Sequence, residues 1–288
     1  MAVTLNQLQA FLAVVRRGSV TAAAQELFVT QPSVSAAITA LERELGVELT
    51  ERAGRTLRPT AAGEAYAPYA ADVLGLLDQG SRAANEAAAA ERSTLRISAV
   101  FTAGEHLVPQ LIQAFREHYP DLEISLDVGN REDVFRRLAD HEVDVGIAGR
   151  VPDDGRLEGV PFAENPIALV TAASDPLARR RWVGGDELGA RHWLVREPGS
   201  GTRRLTDEYL ASLGVTPRLF TLGSNGAIKQ AARVGLGIAL LSRVVVELEL
   251  SLGLLALVTP RGGVPRRAWY VVRSTVGPRR EAAEQFTA

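Results

Sequence analysis

At 288 residues and 30.9 kDa the chain is longer than one ordinary domain and suits two. Its 46% hydrophobic and 23% charged residues are a globular balance, and the absence of cysteine excludes disulfides, thiolate zinc sites, iron–sulfur clusters and a cysteine nucleophile. A net charge of −2 excludes bulk basicity as the means of gripping nucleic acid and leaves only a local site open. The opening residues place no basic stretch before their apolar run, so no signal peptide is expected. The apolar stretch 234–258 is interrupted by Arg243, Glu247 and Glu249 and does not read as a membrane span. A cytoplasmic protein without membrane partners is the expectation.

Residues 1–60 carry six arginines against five glutamates, and three of those arginines, Arg52, Arg55 and Arg58, lie close together. Thr4 followed by Gln7 reads as a capping box, with Leu8, Phe11, Leu12 and Val15 on one helical face and Gly18 as the stop. Ser19 or Thr21 opens a second helix over 22–28. A third starts near Thr30 or Gln31 with Pro32 in its first turn, buries Val34, Ile38, Leu41 and Leu45, and ends at Gly46. Residues 49–60, with Gly54 at the middle, predict a hairpin or wing. Such a winged helix-turn-helix places Gln31, Ser33, Ser35 and Thr39 toward a major groove and the wing arginines Arg52, Arg55 and Arg58 toward phosphates. A small helical bundle whose serines are solvated caps fits the same pattern.

From Thr60 to about Ala90, Tyr66, Ala70, Val73, Leu77, Gly80, Ala84 and Ala87 recur at alternating spacings of four and three. That heptad seam predicts a helix of about 45 Å that pairs with a second copy of itself. Tyr66, Ala70, Val73, Leu77 and Ala84 are the expected dimer contacts. Beyond Ser93 the texture is α/β. Strands are expected at 95–100, 123–128, 143–148, 167–172, 193–195, 219–222, 238–241, 254–258 and 269–272. Helices are expected at 106–118, 132–140, 202–213 and 225–234. Alternation of this kind builds parallel sheets, and nearly 200 residues predict two lobes with a ligand cleft between them.

Several loops follow predicted strands. The run 196–203, REPGSGTR, offers free backbone N–H groups, a helix amino end, the hydroxyls of Ser200 and Thr202, and Arg203 or Arg196 as a clamp for a carboxylate or phosphate. A helix cap with a tight turn explains the same residues. Phe101, Thr102 and Ala103, then Asn130, then Ser224 and Asn225 are expected to converge on that cleft, and their short polar side chains suit a small polar metabolite. No catalytic constellation emerges: Gly199-Ser200-Gly201 lacks the spacing of a nucleophile elbow, and the run from Gly235 has Leu240 where a dinucleotide loop needs glycine. The four histidines show no i, i+4 pairing, so neither metal nor cofactor is expected. An exported solute-binding protein is the other rival, and it has no use for residues 1–90.

The run 5–49, LNQLQAFLAVVRRGSVTAAAQELFVTQPSVSAAITALERELGVEL, resembles the amino-terminal domain of LysR-type transcriptional regulators. TLRPTAAGEAY at 56–66 and LRISAVFTAGEHLVPQLIQAFREHYPDLEISLDVGN at 95–130 are similar to that family's wing-to-linker passage and effector-domain start. The resemblance spans the chain and implies an α/β multidomain protein: a winged helix-turn-helix at 1–60, a linker and dimerisation helix at 61–90, and a two-lobed effector domain at 91–288 like a periplasmic binding protein. Lobe I is expected at about 91–164 and 266–288, and lobe II at about 165–265. By position it implies Thr30, Gln31, Pro32, Ser33 and Ser35 as DNA-contacting residues, with Arg52 in the wing, and Ser200, Gly201, Thr202 and Arg203 in the wall of the cleft. It further implies double-stranded DNA with an imperfect palindrome, a small-molecule effector, a homodimer that assembles to a homotetramer, and contact with RNA polymerase. Two departures stand out: Ala36 and Ala37 occupy positions that are often basic or long and polar in the family, and Thr50 replaces its aromatic. REPGSGTR and LGSNGAIKQA resemble the subgroup that regulates carbon-fixation operons and answers to phosphorylated metabolites or nucleotides.

Overall fold

The computed structural model describes residues 3–54, 56–89 and 94–288. The chain divides into two compact units: the described residues up to 89 with 139–142 and 276–278, and the remainder.

In the first unit, α1 (Leu5–Arg17) opens on a capping box, with the Gln7 N–H donating to Thr4 Oγ1 and the Thr4 N–H donating to Gln7 Oε1. It stops at Gly18 with φ of 63°, a conformation that a side chain would strain. α2 (Val20–Glu26) is capped by Ser19, and α3 (Gln31–Leu45) by Thr30, whose Oγ1 accepts from the Ser33 N–H. The turn between α2 and α3 holds no glycine, and Phe28 takes the left-handed conformation there, with φ of 55°, while 96% exposed. This ends α2 two residues before its expected limit. α1 packs Leu8, Phe11 and Leu12 against Leu41 and Leu49 on one side, and Ala10, Ala13 and Val14 against Ala23, Ala24, Val34 and Ile38 on the other.

β1 (Thr50–Ala53) and β2 (Thr56–Pro59) form the antiparallel wing. Thr50, in place of the family's aromatic, is tied down: Glu42 Oε1 accepts from the backbone N–H groups of Leu49 and Thr50 and from the Thr50 hydroxyl.

α4 (Ala61–Ala89) corrects part of the expected dimer seam. Ala70 is 1% exposed against the α1 core, and the Tyr66 ring lies 5.9 Å from that of Phe11, with burial pushing its hydroxyl pKa up. Both residues are therefore used within the unit, because α1 and α3 need a cover for Leu8, Phe11 and Leu41. The exposed apolar stripe starts at Tyr69 and runs through Val73 and Leu77 to Ala84.

Glu26 accepts from Arg16 Nη2 at 2.7 Å and Arg17 Nε at 2.5 Å, and these two hydrogen bonds hold its carboxyl below the usual carboxylate range. A lowered folded-state pKa contributes stability that is present above the unfolded value and lost as pH falls through the folded one. Glu26→Gln is thus expected to cost up to about 1 kcal/mol near neutral pH, with the gap between variant and wild type closing in acid below about pH 4. Denaturant melts at several pH values check this; a gap that widens on acidification contradicts it.

The second unit has two lobes of different make. β3 (Thr94–Val100), α5 (Phe101–His106), α6 (Val108–His118), β4 (Glu123–Gly129), α7 (Arg131–Ala139), β5 (Val145–Ala148) and β6 (Leu157–Glu164) come first. β3 runs parallel to β4 and β5, whereas β12 (Ala268–Ser274) enters antiparallel between β5 and β6 and gives the order β4-β3-β5-β12-β6. Leu95, Ile97, Val145, Ile147 and Trp269 fill this lobe together with α12 (Glu281–Thr287).

The other lobe holds β7 (Ile167–Ala172), a short 3₁₀ turn at Pro176–Arg179, α8 (Gly185–Gly189), β8 (Trp193–Val195), α9 (Gly201–Leu213), β9 (Leu219–Thr221), α10 (Asn225–Arg233), β10 (Ala239–Ser242), α11 (Arg243–Ser251) and β11 (Leu255–Leu257). β7 lies between β10 and β11 and is antiparallel to both, while β8 and β9 are parallel. Trp193, with its indole N–H donating to the Leu188 carbonyl, packs with Leu169, Tyr209, Ile238 and Leu240. The expected parallel pairing is met by β3 with β4 and β5 and by β8 with β9, and is corrected at β7 and β12, which run antiparallel to their neighbours. The chain crosses between lobes twice, at 165–166 and again between β11 and β12, and the first strand after each crossing runs against its neighbours. Five strands and helices have no counterpart among the expected elements: α5, β6, α8, α11 and α12. The expected loop Phe101–Ala103 is the first turn of α5.

Candidate nucleic-acid interface and effector cleft

Gln31, Pro32, Ser33, Ser35, Ala36 and Thr39 are exposed on the first two and a half turns of α3, with Val34, Ile38 and Leu41 buried on the opposite side. No acidic residue lies in the first turn, so the positive end of the helix faces solvent uncompensated. The Thr30 and Ser33 hydroxyls bond each other at 2.8 Å, which makes Thr30 chiefly a cap. Gln31 and Ser35 side chains make no hydrogen bond among the described residues, and Arg52 and Arg58 are exposed on the wing. Arg55 lies outside the described residues.

The cleft between the lobes of the second unit is lined from one side by Phe101, Thr102, Asn130 and Arg131 and from the other by Arg196, Ser200, Gly201 and Thr202. Asn165, Ser242, Arg267 and Trp269 close it at the crossings. Three arginines face it, and no carboxylate is among its lining residues. As it stands it encloses only about 20 Å³.

Arg196, 2% exposed at the end of β8, donates Nε and Nη2 to the two carboxylate oxygens of Glu197 and Nη1 to Asn225 Oδ1 at 3.0 Å. Asn225 Nδ2 in turn donates to Thr102 Oγ1 at 3.1 Å, and the Arg196 guanidinium lies 5.1 Å from the Phe101 ring. These two contacts tie one lobe to the other. At the floor, Ser242 Oγ donates to Asn165 Oδ1 at 2.5 Å, which leaves Asn165 Nδ2 as a buried donor with no acceptor among the described residues. Unmet, such a donor costs about 1–3 kcal/mol.

Arg267 occupies a slot made by two glycines, one from each lobe: a β-carbon at Gly149 or Gly201 would come within 2.8 or 2.9 Å of its Nη2. Burial, and then the positive charge of Arg131, lower the Arg267 pKa; burial, and then Arg204, lower that of Arg131. Arg131 donates Nη2 to the Arg150 carbonyl and stacks 4.4 Å from the Phe135 ring.

Of the effector residues expected from sequence, Phe101, Thr102, Asn130, Ser200, Gly201 and Thr202 line the cleft, and Asn225 stands directly behind Thr102. Three do not. Ala103 is fully buried in the sheet core. Ser224 is an exposed cap that accepts from the Ala227 N–H. Arg203 turns outward to the Asp207 carboxylate and donates Nη1 to the Arg196 carbonyl. Asn165, Ser242, Arg131 and Arg267 went unpredicted; the Asn165-Pro166 pair is a turn signal that marks the crossing, but nothing local singles out Arg267. Among the described residues no group of acidic, histidine or cysteine side chains is placed to hold a metal, and no helix is long and apolar enough to cross a membrane.

A winged helix-turn-helix joined to a two-lobed domain with a polar cleft defines a transcriptional regulator that carries an effector-binding domain. Residues 5–64 match the bacterial regulatory helix-turn-helix proteins of the lysR family, and residues 88–288 match the LysR substrate binding domain. The chain belongs to the LysR family of DNA-binding transcriptional regulators. It is 39% identical over 269 residues to the transcriptional regulator CbbR of Rhodospirillum rubrum, covering 93% of this chain and 89% of that one. Against the transcriptional activator CmpR of Synechocystis it is 34% identical over 270 residues, covering 93% and 88%. The regulatory domain of Synechocystis CcmR, solved in complex with 2-PG, superposes with a TM-score of 0.64 at 30% identity, covering 68% of this chain and 94% of that one.

Proposed function

We propose that this regulator reads an imperfect palindrome as a homodimer, and that a small polar anion held between the lobes of its effector domain sets its effect on transcription. The observation that carries the anion reading is the cleft itself: Arg131 and Arg267 have no carboxylate partner among the described residues, Arg196 has only Glu197, and the buried Asn165 Nδ2 lacks an acceptor. An anion supplies both the acceptor and the missing negative charge. The similarity to CcmR, which takes 2-PG (2-phosphoglycolate), supports the same chemical class here. Thr102, Ser200, Thr202 and Asn130 add hydroxyl and amide partners around it, and Asn225 and Arg196 position Thr102.

In this reading α3 enters the major groove through Gln31, Ser33, Ser35 and Thr39, with Arg52, Arg55 and Arg58 on flanking phosphates. The stripe of α4 containing Val73, Leu77 and Ala84 covers its copy in a partner subunit, dimers pair into tetramers, and the DNA-bound assembly touches RNA polymerase in the bacterial cytoplasm. No residue is assigned to catalysis. Because the closed cleft is too small for a metabolite, an effector has to part the Thr102–Asn225 and Phe101–Arg196 contacts and thereby bias the lobe arrangement.

Calorimetric titration of the full chain with 2-phosphoglycolate, glycolate and glycerol tests the reading. Saturable binding of the anions only, weakened about tenfold or more by Asn165→Leu, is expected. Glycerol binding as well as the anions, or indifference to Asn165→Leu, contradicts it.

A further inference from the structure

Arg131 and Arg267 face a second, larger space. Adjoining the cleft, and sharing Arg131, Gly201 and Arg267 with it, lies a cavity of about 540 Å³ to which Arg150, Arg204 and Arg266 also contribute, against only Glu164 and Glu208. Both lobes form its walls: Arg131, Arg150 and Tyr270 from one, Gly201, Arg204 and Leu205 from the other, with Arg266 and Arg267 on the segment that crosses between them.

The charges do not cancel. Arg204 is paired with Glu208 at 2.7 Å, but Arg131, Arg150, Arg266 and Arg267 have no carboxylate within 4.0 Å among the described residues. Gathering four unpaired guanidinium groups around one space, two of them withdrawn from water, is unfavourable unless something else brings the counter-charge. The cavity is many times the size of the cleft and presents its arginines from several directions, an arrangement suited to more than one anionic group at once.

We propose that this cavity is a second anion site, distinct from the effector cleft, for an organic polyanion carrying two or more phosphoryl or carboxylate groups. Such a molecule bridges the two lobes and favours the arrangement in which the cleft is closed. The site stands whether or not the cleft takes an anion.

The test is calorimetric titration of the full chain with inorganic pyrophosphate and, separately, orthophosphate, using wild type, the Arg150→Ala/Arg266→Ala double variant and Asn165→Leu. Both arginines are exposed at the cavity rim, so their loss leaves the folded core untouched. Pyrophosphate is expected to bind saturably and tighter than orthophosphate, to weaken about tenfold or more in the double variant, and to be unchanged by Asn165→Leu. No saturable binding up to about 10 mM overturns the proposal, as does equal binding of the two phosphates. Indifference to the double variant, or a loss in Asn165→Leu as large as in the double variant, overturns it too, the last by returning pyrophosphate to the cleft. Failure of the cleft reading looks different: it leaves the pyrophosphate pattern intact while 2-phosphoglycolate does not bind.

Discussion

Replacing Gln31, Ser33 and Ser35 together with alanine is expected to reduce the preference for the cognate operator over scrambled DNA by at least about a hundredfold. Each base contact contributes about 1–3 kcal/mol of discrimination, and three lost together bring specific binding toward the sequence-independent level. The fold is expected to survive, since all three side chains are exposed, the Thr30 cap remains, and alanine favours the helix. Arg52→Ala and Arg58→Ala provide the contrasting result. They are expected to weaken binding to every duplex alike and to lessen the salt dependence, each by about 0.9 in the slope of log affinity against log salt. Fluorescence anisotropy at two salt concentrations separates the two effects. A triple variant that keeps its preference removes α3 as the reading element. Ala36 sharpens the expectation, because with no long polar side chain at that exposed position the reading falls chiefly on the first turn, while Ala37 packs partly against the core.

Arg196→Met is expected to cost about 2–3 kcal/mol of anion affinity, roughly 30- to 150-fold. The guanidinium lines the cleft and also orients Asn225, which holds Thr102. The thermal midpoint is expected to fall as well, because Asn225 Oδ1 is left buried without its donor. Arg203→Ala, whose guanidinium is engaged outside the cleft, is expected to keep anion affinity within about threefold. Calorimetry on both variants decides it: equal losses, or a larger loss at Arg203, contradict the placement of the site.

The parts legible in the sequence are those fixed by near neighbours. Thr4 with Gln7, Gly18, Thr30 with Pro32, and Gly46 set the limits of α1 and α3 within a residue or two, because caps and stops act over one helical turn. The apolar stripe of α4 was half legible: periodicity does not say which partner covers a face, and Tyr66 and Ala70 pack on α1 while Tyr69 joins Val73 and Leu77 on the exposed side. Strand direction in β7 and β12 was not legible, since it follows from where the chain crosses between lobes, a property of residues far apart. The cleft loops at Thr102, Asn130 and Ser200 announced themselves as polar residues after strands. Arg267 did not: it matters because Gly149 and Gly201, over a hundred and over sixty positions distant respectively, leave it room.

The proposed regulation requires that occupancy of the cleft be coupled to DNA binding. The most direct measurement is the affinity of the full chain for 2-phosphoglycolate with and without saturating operator duplex, alongside operator affinity with and without the anion. Coupling requires both to shift by the same factor, expected to be about fivefold or more, and Arg196→Met to abolish both shifts. Anion binding that is identical on and off DNA, with operator affinity equally unmoved, contradicts the claim.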